Sequence, residues 1–399
     1  MKLMLLLTVG AGLLGAAEMP SSADAFVDSA GVDTHFSYTD SLYYKNFPLV
    51  KQALLDSKVR HIRDGISTTP SIYSLHNQLA AVGIRCNYVV SESLSSTTVL
   101  NYPNLAQDIE TFEYDNETDA AGGSAWVAPL LKEMSWLWPT AQSMKVPVVG
   151  PSLINASWWN ANNSYSLLGN VSQYMTVNNI HNYLAGFNPE TTGWGGGCTP
   201  QGYCYGSIPW SISQANIDAP GVPVWTTENG YNMTVTRNNA LPEAIHATYM
   251  PRLLFSQWNA GIPRTYIYEL ADEPSTPCCM GLMDASGNRR MPFTALSNLL
   301  SLLADPGPTF TPANSLNYTI TGKATNLKHT LLQKRDGTYW LALWLGASNY
   351  NTNTKQTLTV APVPLTLSWT GTSQGYVVYS FDGAGNLTNG GPAAAAAFS

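Results

Sequence analysis

The chain has 399 residues, 44% of them hydrophobic, which is enough to fill a large core and excludes a disordered protein. Charged residues make up only 11%, under half the usual share, so Ser, Thr, Asn and Gly must cover the surface, a composition at home outside the cell. A formal net charge of −7 with no basic run excludes nucleic acid as the expected partner.

Met1-Lys2 followed by the apolar run Leu3 to Leu14 fits a secretory signal peptide, taken as residues 1–25, with small residues at Gly15 and Ala17 or at Ala23 and Ala25 as cleavage points. The run is too short for a permanent anchor, and no later stretch is a membrane-span candidate. The mature chain is therefore expected to be secreted or periplasmic, with no membrane partner.

From residue 26 to 305 short apolar runs alternate with helical patterns, as βα units do. The strands are predicted at Ser29–Phe36, Val59–Gly65, Ile84–Val90, Asp108–Tyr114, Val146–Pro151, Val177–Tyr183, Val222–Thr227 and Thr265–Leu270. Helices are predicted between them, the strongest over Ser124–Ser143, Pro242–Asn259 and Pro292–Leu303. Eight units in this length match a (β/α)8 TIM barrel, and the first strand lacks the Gly-rich phosphate turn of a doubly wound sheet.

Asp305-Pro306-Gly307-Pro308 ends the last helix, and the texture changes to strands between polar turns. Residues 306–389 read as a small C-terminal β-sandwich with a hairpin at Arg335-Asp336-Gly337, and 390–399 as a disordered tail. Of the five cysteines, Cys198 and Cys204 read as a loop disulfide and Cys86 as buried and inert, while Cys278 and Cys279 could be paired elsewhere or free. His and Cys do not cluster at metal-ligand spacing, and no cofactor is expected.

In such a barrel the reactive groups sit at strand C-terminal ends. Those positions hold His35, Arg63 with Asp64, Glu92, Asn116 with Glu117, Ser152, His181 with Tyr183, Glu228, and Tyr268 with Glu269. Phe112 to Asp119 carries four acidic side chains in eight residues, a poor way to build a core. Its counterpart is Val222 to Gly230, where an apolar run again ends in a glutamate. Two glutamates at the ends of different strands are what glycoside cleavage needs.

Asn-Glu at strand four, His-x-Tyr at strand six and a lone Glu at strand seven resemble the retaining glycoside hydrolases of clan A. Gly281 to Gly287 followed by Pro292 to Leu296 is similar to a segment of its family 5- and family 39-like members. The resemblance implies that Glu117 is the acid/base, that Glu228 is the nucleophile, and that Asn116 bonds the sugar 2-hydroxyl. It also implies that Arg63 and Tyr183 keep the nucleophile ionised and oriented and that His181 stands near the substrate. Glu113 and Asp115, if close to Glu117, would disfavour its ionised form.

Thr118 stands where many relatives have Pro, and Tyr268-Glu269 where many have a Trp platform. His35, Tyr268 and Glu269 are further substrate-contact candidates, and Trp158, Trp159 and Trp194 are candidate sugar-stacking rings. The long loop after strand six, residues 184–210, is expected to wall the cleft. Plainer readings pair Arg63 with Asp64, leave His181 and Tyr183 capping the barrel mouth, and make Asp33 and Asp272 solvated or structural.

The expected activity is hydrolysis of a β-linked glycan by double displacement in a monomer. A transglycosylase with the same two glutamates, or a barrel that binds carbohydrate without turnover, are the alternatives.

Overall fold

The structure is a computed structural model that describes residues 14–155, 163–195, 197–234, 239–274, 279–369 and 375–392. Within it the predicted runs become eight parallel strands: Ala30–Asp33 (β1), His61–Gly65 (β2), Arg85–Val89 (β3), Ile109–Glu113 (β4), Val148–Val149 (β5), Asn178–His181 (β6), Val224–Asn229 (β7) and Thr265–Ile267 (β8). Their order around the sheet is β5-β4-β3-β2-β1-β8-β7-β6, and a parallel bridge between Val149 and Val177 closes it into a barrel. Such a strand order follows from right-handed βα crossovers.

Eight helices surround it: Phe47–Ser57 (α1), Pro70–Ala80 (α2), Ser96–Asn101 (α3), Val127–Met144 (α4), Ser164–Leu168 (α5), Ile208–Asp218 (α6), Glu243–Asn259 (α7) and Met291–Leu303 (α8). Pro starts α1, α2, α6 and α8 within their first two residues, where its missing N–H has no helical partner in any case. Pro139 and Pro251 lie inside α4 and α7, whose buried faces hold them helical. Buried Leu, Val, Ile and aromatic side chains from strands and helices form one continuous core. β1 needs its glycine, because a Cβ on Gly31 would stand 2.5 Å from the Tyr266 ring of neighbouring β8.

After α8 come antiparallel pairs. Leu316–Gly322 pairs with Leu365–Trp369, Leu327–Gln333 with Tyr339–Leu345, and Val377–Phe381 with Leu387–Pro392. The last strand runs to Pro392, further than the tail expected from residue 390; residues 393–399 lie outside the described part. Tyr318, Ile320, Leu331 and Leu365 make a small core of their own. Two segments assigned to the leader also belong to these sheets. Leu14–Glu18 pairs antiparallel with Leu316–Gly322, and Ser21–Ser22 pairs parallel with Leu327–Gln333. Ser22 then caps the helix Ala23–Asp28, and Glu18 bonds His329 at 3.1 Å.

The sandwich grips the barrel through a buried tie. Arg252 of α7 ion-pairs with Glu190, Trp344 donates to the same carboxylate at 2.6 Å, and Phe255 stacks on Trp344 at 5.4 Å. A chain starting at Phe26 is expected to melt roughly 5–10 °C below one starting at Leu14, because the paired strand, the Glu18 bonds and the Ser22 cap go together. Calorimetry on the two chains tests this.

Candidate active site

The polar layer at the barrel mouth is built by side chains that alternate inward along each strand. Arg63 on β2 points in, while its neighbour Asp64 points away and accepts from the Thr34 hydroxyl at 2.8 Å and the Phe36 N–H at 3.0 Å. Asp64 thus fastens the exit of β1 and is not Arg63's ion-pair partner.

All five N–H donors of the Arg63 guanidinium are used. Nε and Nη2 clasp Glu113 at 3.0 and 2.7 Å, Nη2 also reaches Asn116 Oδ1 at 2.7 Å, and Nη1 reaches Glu228 Oε1 at 2.8 Å and Asp33 Oδ1 at 3.3 Å. Glu113 is fully buried and takes further bonds from Asn87 at 2.5 Å and Asn179 at 3.0 Å. Neither Glu113 nor Asp115 is hydrogen-bonded to Glu117 among the described residues: Glu113 is spent on Arg63, and Asp115 accepts from the backbone N–H of Glu92.

Glu228 Oε2 accepts from the Tyr183 hydroxyl at 2.6 Å. Burial alone would push its pKa up, but the charges of His181 and Arg63 and the two hydrogen bonds outweigh this and hold it below the ordinary glutamate value. Asp33 has one oxygen on Arg63 and its other, Oδ2, without a partner among the described residues. Its pKa lies well above the usual carboxylate range, driven by burial and by Glu228 and Glu113, against the pull of Arg63. So Glu228 is the ionised member of this pair, and Asp33 is a buried, working part of the layer.

Glu117 sits just past β4 in the left-handed region, φ +47°, and its N–H donates to Ser152 Oγ at 3.0 Å. This turn brings Glu117 Oε1 to 2.6 Å from His181 Nδ1, which in turn lies 3.6 Å from Glu228 Oε2. The hydrogen-bond network assigns the protons. Asn179 donates through Nδ2 to Glu113 and Gly150, so its Oδ1 accepts the Thr227 hydroxyl at 2.7 Å. Thr227, its one hydrogen given, must accept from His181 Nε2 at 3.1 Å. With Nε2 protonated, the short Glu117–Nδ1 contact holds a proton to be shared, the one an acid catalyst would carry.

His35 follows β1 and Tyr268-Glu269 follows β8, the adjacent strand; the Tyr268–Glu269 peptide is cis. His35 Nε2 lies 3.2 Å from Glu273 and 3.7 Å from Glu269, and its ring is 5.6 Å from Tyr268, which meets Tyr183 at 6.5 Å. Burial lowers the His35 pKa to about 4, so it is neutral near pH 7. Burial and neighbouring carboxylates, Glu273 first among them, raise Glu269 to about 9.

Trp194 is held along its own loop. One face stacks on Phe187 at 4.7 Å and the ring lies against Gly206, where a Cβ would stand 2.1 Å away. Trp158 and Trp159 lie outside the described residues. Cys198–Cys204 is a disulfide and Cys86 is buried and free, as expected; Cys279 is disulfide-bonded and Cys278 lies outside the described residues. Asp272 is buried and ion-paired with Arg290. Among the described residues, ligand-type atoms come within 4.8 Å of one another in three groups: Glu117, His181 and Glu228; His35, Glu269 and Glu273; and His76, Cys86 and Asp108. In the first, Arg63 and Tyr183 already satisfy Glu228, and the imidazole already bridges to Glu117. The third is buried, with Tyr88 donating to Asp108 at 2.7 Å.

Sequence reasoning gave no site role to Asn87, Asn179 or Thr227, read Asp33 as solvated or structural, and set Glu113 beside Glu117 instead of Arg63. Their signal was a polar residue one or two places inside an apolar strand, opposite a neighbour of the same kind.

A (β/α)8 barrel with two carboxylates bridged by an imidazole at the C-terminal ends of its strands is the class that fold and site define. No protein-family model matches the chain, and no curated protein matches it in sequence. Among solved structures it is similar to a 4-O-α-L-rhamnosyl-β-D-glucuronidase from Fusarium oxysporum 12S, at 13% identity over 79% of this chain and 84% of that one, TM-score 0.44. It is also similar to an exo-β-1,3-glucanase of family GH128 from Cryptococcus neoformans, at 14% identity over 65% and 94%, TM-score 0.42. A GH128 oligosaccharide-binding protein from Trichoderma gamsii gives 14% over 71% and 97%, TM-score 0.41. Likeness at this level is one of outline and bears no weight below. No helix among the described residues is long and apolar enough to cross a membrane.

Arg63→Gln leaves Glu113 buried with its ion pair gone and is expected to destabilise by about 3–5 kcal/mol, read by urea unfolding. The pH dependence of stability is set by buried carboxyls whose pKa is raised. Burial lifts Asp64 to about 6, Asp218 to about 7 and Glu133 to about 9, beside Glu269 at about 9. Each folded form prefers the proton. Their contribution is therefore full below the unfolded-chain value near 4 and is lost as pH rises toward the folded value. The melting temperature is expected to fall steadily between about pH 5 and pH 9; a Tm that rises across that range would contradict the assignment.

Proposed function

We propose that this chain is a retaining glycoside hydrolase of the clan A type, exported from the cell, that cleaves a β-linked glycan with Glu228 as nucleophile and Glu117 as acid/base. The observation that carries the reading is that oxygens of Glu117 and Glu228 come within 4.8 Å across the His181 imidazole. Retaining pairs stand about 5–5.5 Å apart and inverting pairs about 6.5–9.5 Å, with a water between them.

In the first step Glu228 Oε2 attacks the anomeric carbon, and the glycosidic oxygen leaves with the proton held on the Glu117–His181 bond. Tyr183 and Arg63 keep Glu228 ionised and aimed until the ester forms. In the second step Glu117, now ionised, takes a proton from water as that water attacks the same carbon and releases Glu228. His181 passes no net charge; its Nε2 is fixed by Thr227, so its Nδ1 stays turned to Glu117. Asn116, held by Arg63 on Oδ1, offers its amide to the sugar 2-hydroxyl.

The test is hydrolysis of a panel of β-linked polysaccharides and aryl β-glycosides. Glu228→Ala is expected to lose activity by at least about 10⁴-fold, and Glu117→Ala to regain turnover of an activated aryl glycoside when azide is added. Wild-type rates in both variants would sink the reading. Transfer of the glycosyl group to an added sugar in preference to water would make the chain a transglycosylase.

A further inference from the structure

Two carboxyl groups meet at one nitrogen. Arg63 Nη1 gives one N–H to Glu228 Oε1 at 2.8 Å and the other to Asp33 Oδ1 at 3.3 Å. The rest of the guanidinium is closed on Glu113 and Asn116. Asp33 is placed by its strand: it is the last residue of β1, in register with Arg63 of β2, and its carbonyl accepts the Leu270 N–H at 3.0 Å. It is 1% exposed, and its Oδ2 has no hydrogen-bond partner among the described residues. A buried carboxyl kept only for structure is served on both oxygens.

On the reading that Glu228 attacks a sugar, its charge disappears when the ester forms, and the buried guanidinium loses one of its two anions, Glu113 being the other. We propose that Asp33 is a positioning residue that takes this charge over. As Glu228 is esterified, Asp33 releases its proton to water and closes on Arg63 Nη1, and it takes a proton back when Glu228 is freed. A C–O bond forms at Glu228 while an O–H bond breaks at Asp33, and the second step reverses both, so the two changes cancel over a turnover. The layer then carries the same net charge with Glu228 free or esterified, and Arg63 keeps its place between β1, β4 and β7.

Besides Arg63, the titratable groups that act on Asp33 are Glu113 on β4, Glu228 on β7, Tyr183 past β6, and Tyr268 and Glu269 past β8. Of these only Glu228 changes state in the reaction. Glu113 stays on Arg63, burial keeps both tyrosine hydroxyls neutral, and Glu269, raised to about 9, keeps its proton. Burial is the first cause that holds the proton on Asp33. Arg63 pulls the other way, and Glu228 is the neighbouring charge that resists ionisation most. Esterification removes the Glu228 charge and leaves Arg63 in place.

Glu228→Gln imitates the ester: its amide oxygen can accept from Nη1, and the charge is gone. Aspartate labelled with carbon-13 at the side-chain carboxyl gives the readout, with the Asp33 signal assigned by its loss in Asp33→Asn. A pH titration is expected to place Asp33 at least about one pH unit lower in Glu228→Gln than in wild type. Wild type trapped with an activated 2-deoxy-2-fluoro derivative of its best aryl β-glycoside reads the second state. At about pH 6 its Asp33 signal is expected to move from the protonated to the ionised position. A signal that titrates at the same pH or higher in Glu228→Gln, or that stays protonated in the trapped enzyme, overturns the proposal while leaving the hydrolase reading in place. If Glu228→Gln does not fold, the trapped wild type decides. If wild type cleaves nothing and traps nothing, the hydrolase reading fails, and the Glu228→Gln titration still decides whether the two carboxyls exchange one charge.

Discussion

The guanidinium of Arg63 is the constraint on which the mouth of this barrel depends. This single planar group on β2 meets five acceptor oxygens from β1, the end of β4, the turn after it, and β7. Because the fork is rigid, those acceptors must lie nearly in its plane, which sets the stagger of four strands relative to one another. The same cation decides which carboxyl is ionised: Glu228, with two good donors, keeps its charge, and Asp33, with one long contact, yields. A second circuit runs from Glu117 through His181, Thr227 and Asn179 to Glu113, and so back to Arg63. The two glutamates are therefore coupled through one hydrogen-bonded ring, and neither can move without disturbing the other.

Much of this was legible in the sequence. Eight apolar runs with period-two polarity at their ends gave the barrel, since a buried parallel strand has no other way to look. Glu117, Glu228, His181, Tyr183 and Arg63 stood out because charged or ring residues at strand exits are expensive unless they do chemistry. The neighbours of Arg63 were not legible. Which residue of β4 faces inward depends on a register shift between Cys86 and Asn87, and one step of register exchanges Glu113 for its neighbours. Trp194 is exposed, as a ring between glycines would be, and Gly206 and Phe187 hold its indole along the loop.

The start of the chain carries two signals at once. An apolar run followed by small residues suits a leader, but small residues also suit an edge strand that packs closely on a neighbour. Gly15 and Ala17, small residues of that signal, pair with Thr319 and Asn317 in the folded chain.

That pairing has a kinetic meaning. Glu18 contacts Tyr318, which lies 300 residues further along, so the strand Leu14–Glu18 has no partner until synthesis has passed Tyr318. In topology the barrel is a long insertion between two pieces of one small sandwich. Such distant contacts are slow to close, and until they do the exposed edge of Leu327–Gln333 lacks its third strand. Pairing of Leu14–Glu18 and Ser21–Ser22 with strands so far along the chain thus closes the longest loops of these sheets, and the loop-closure entropy they carry is met by few residues.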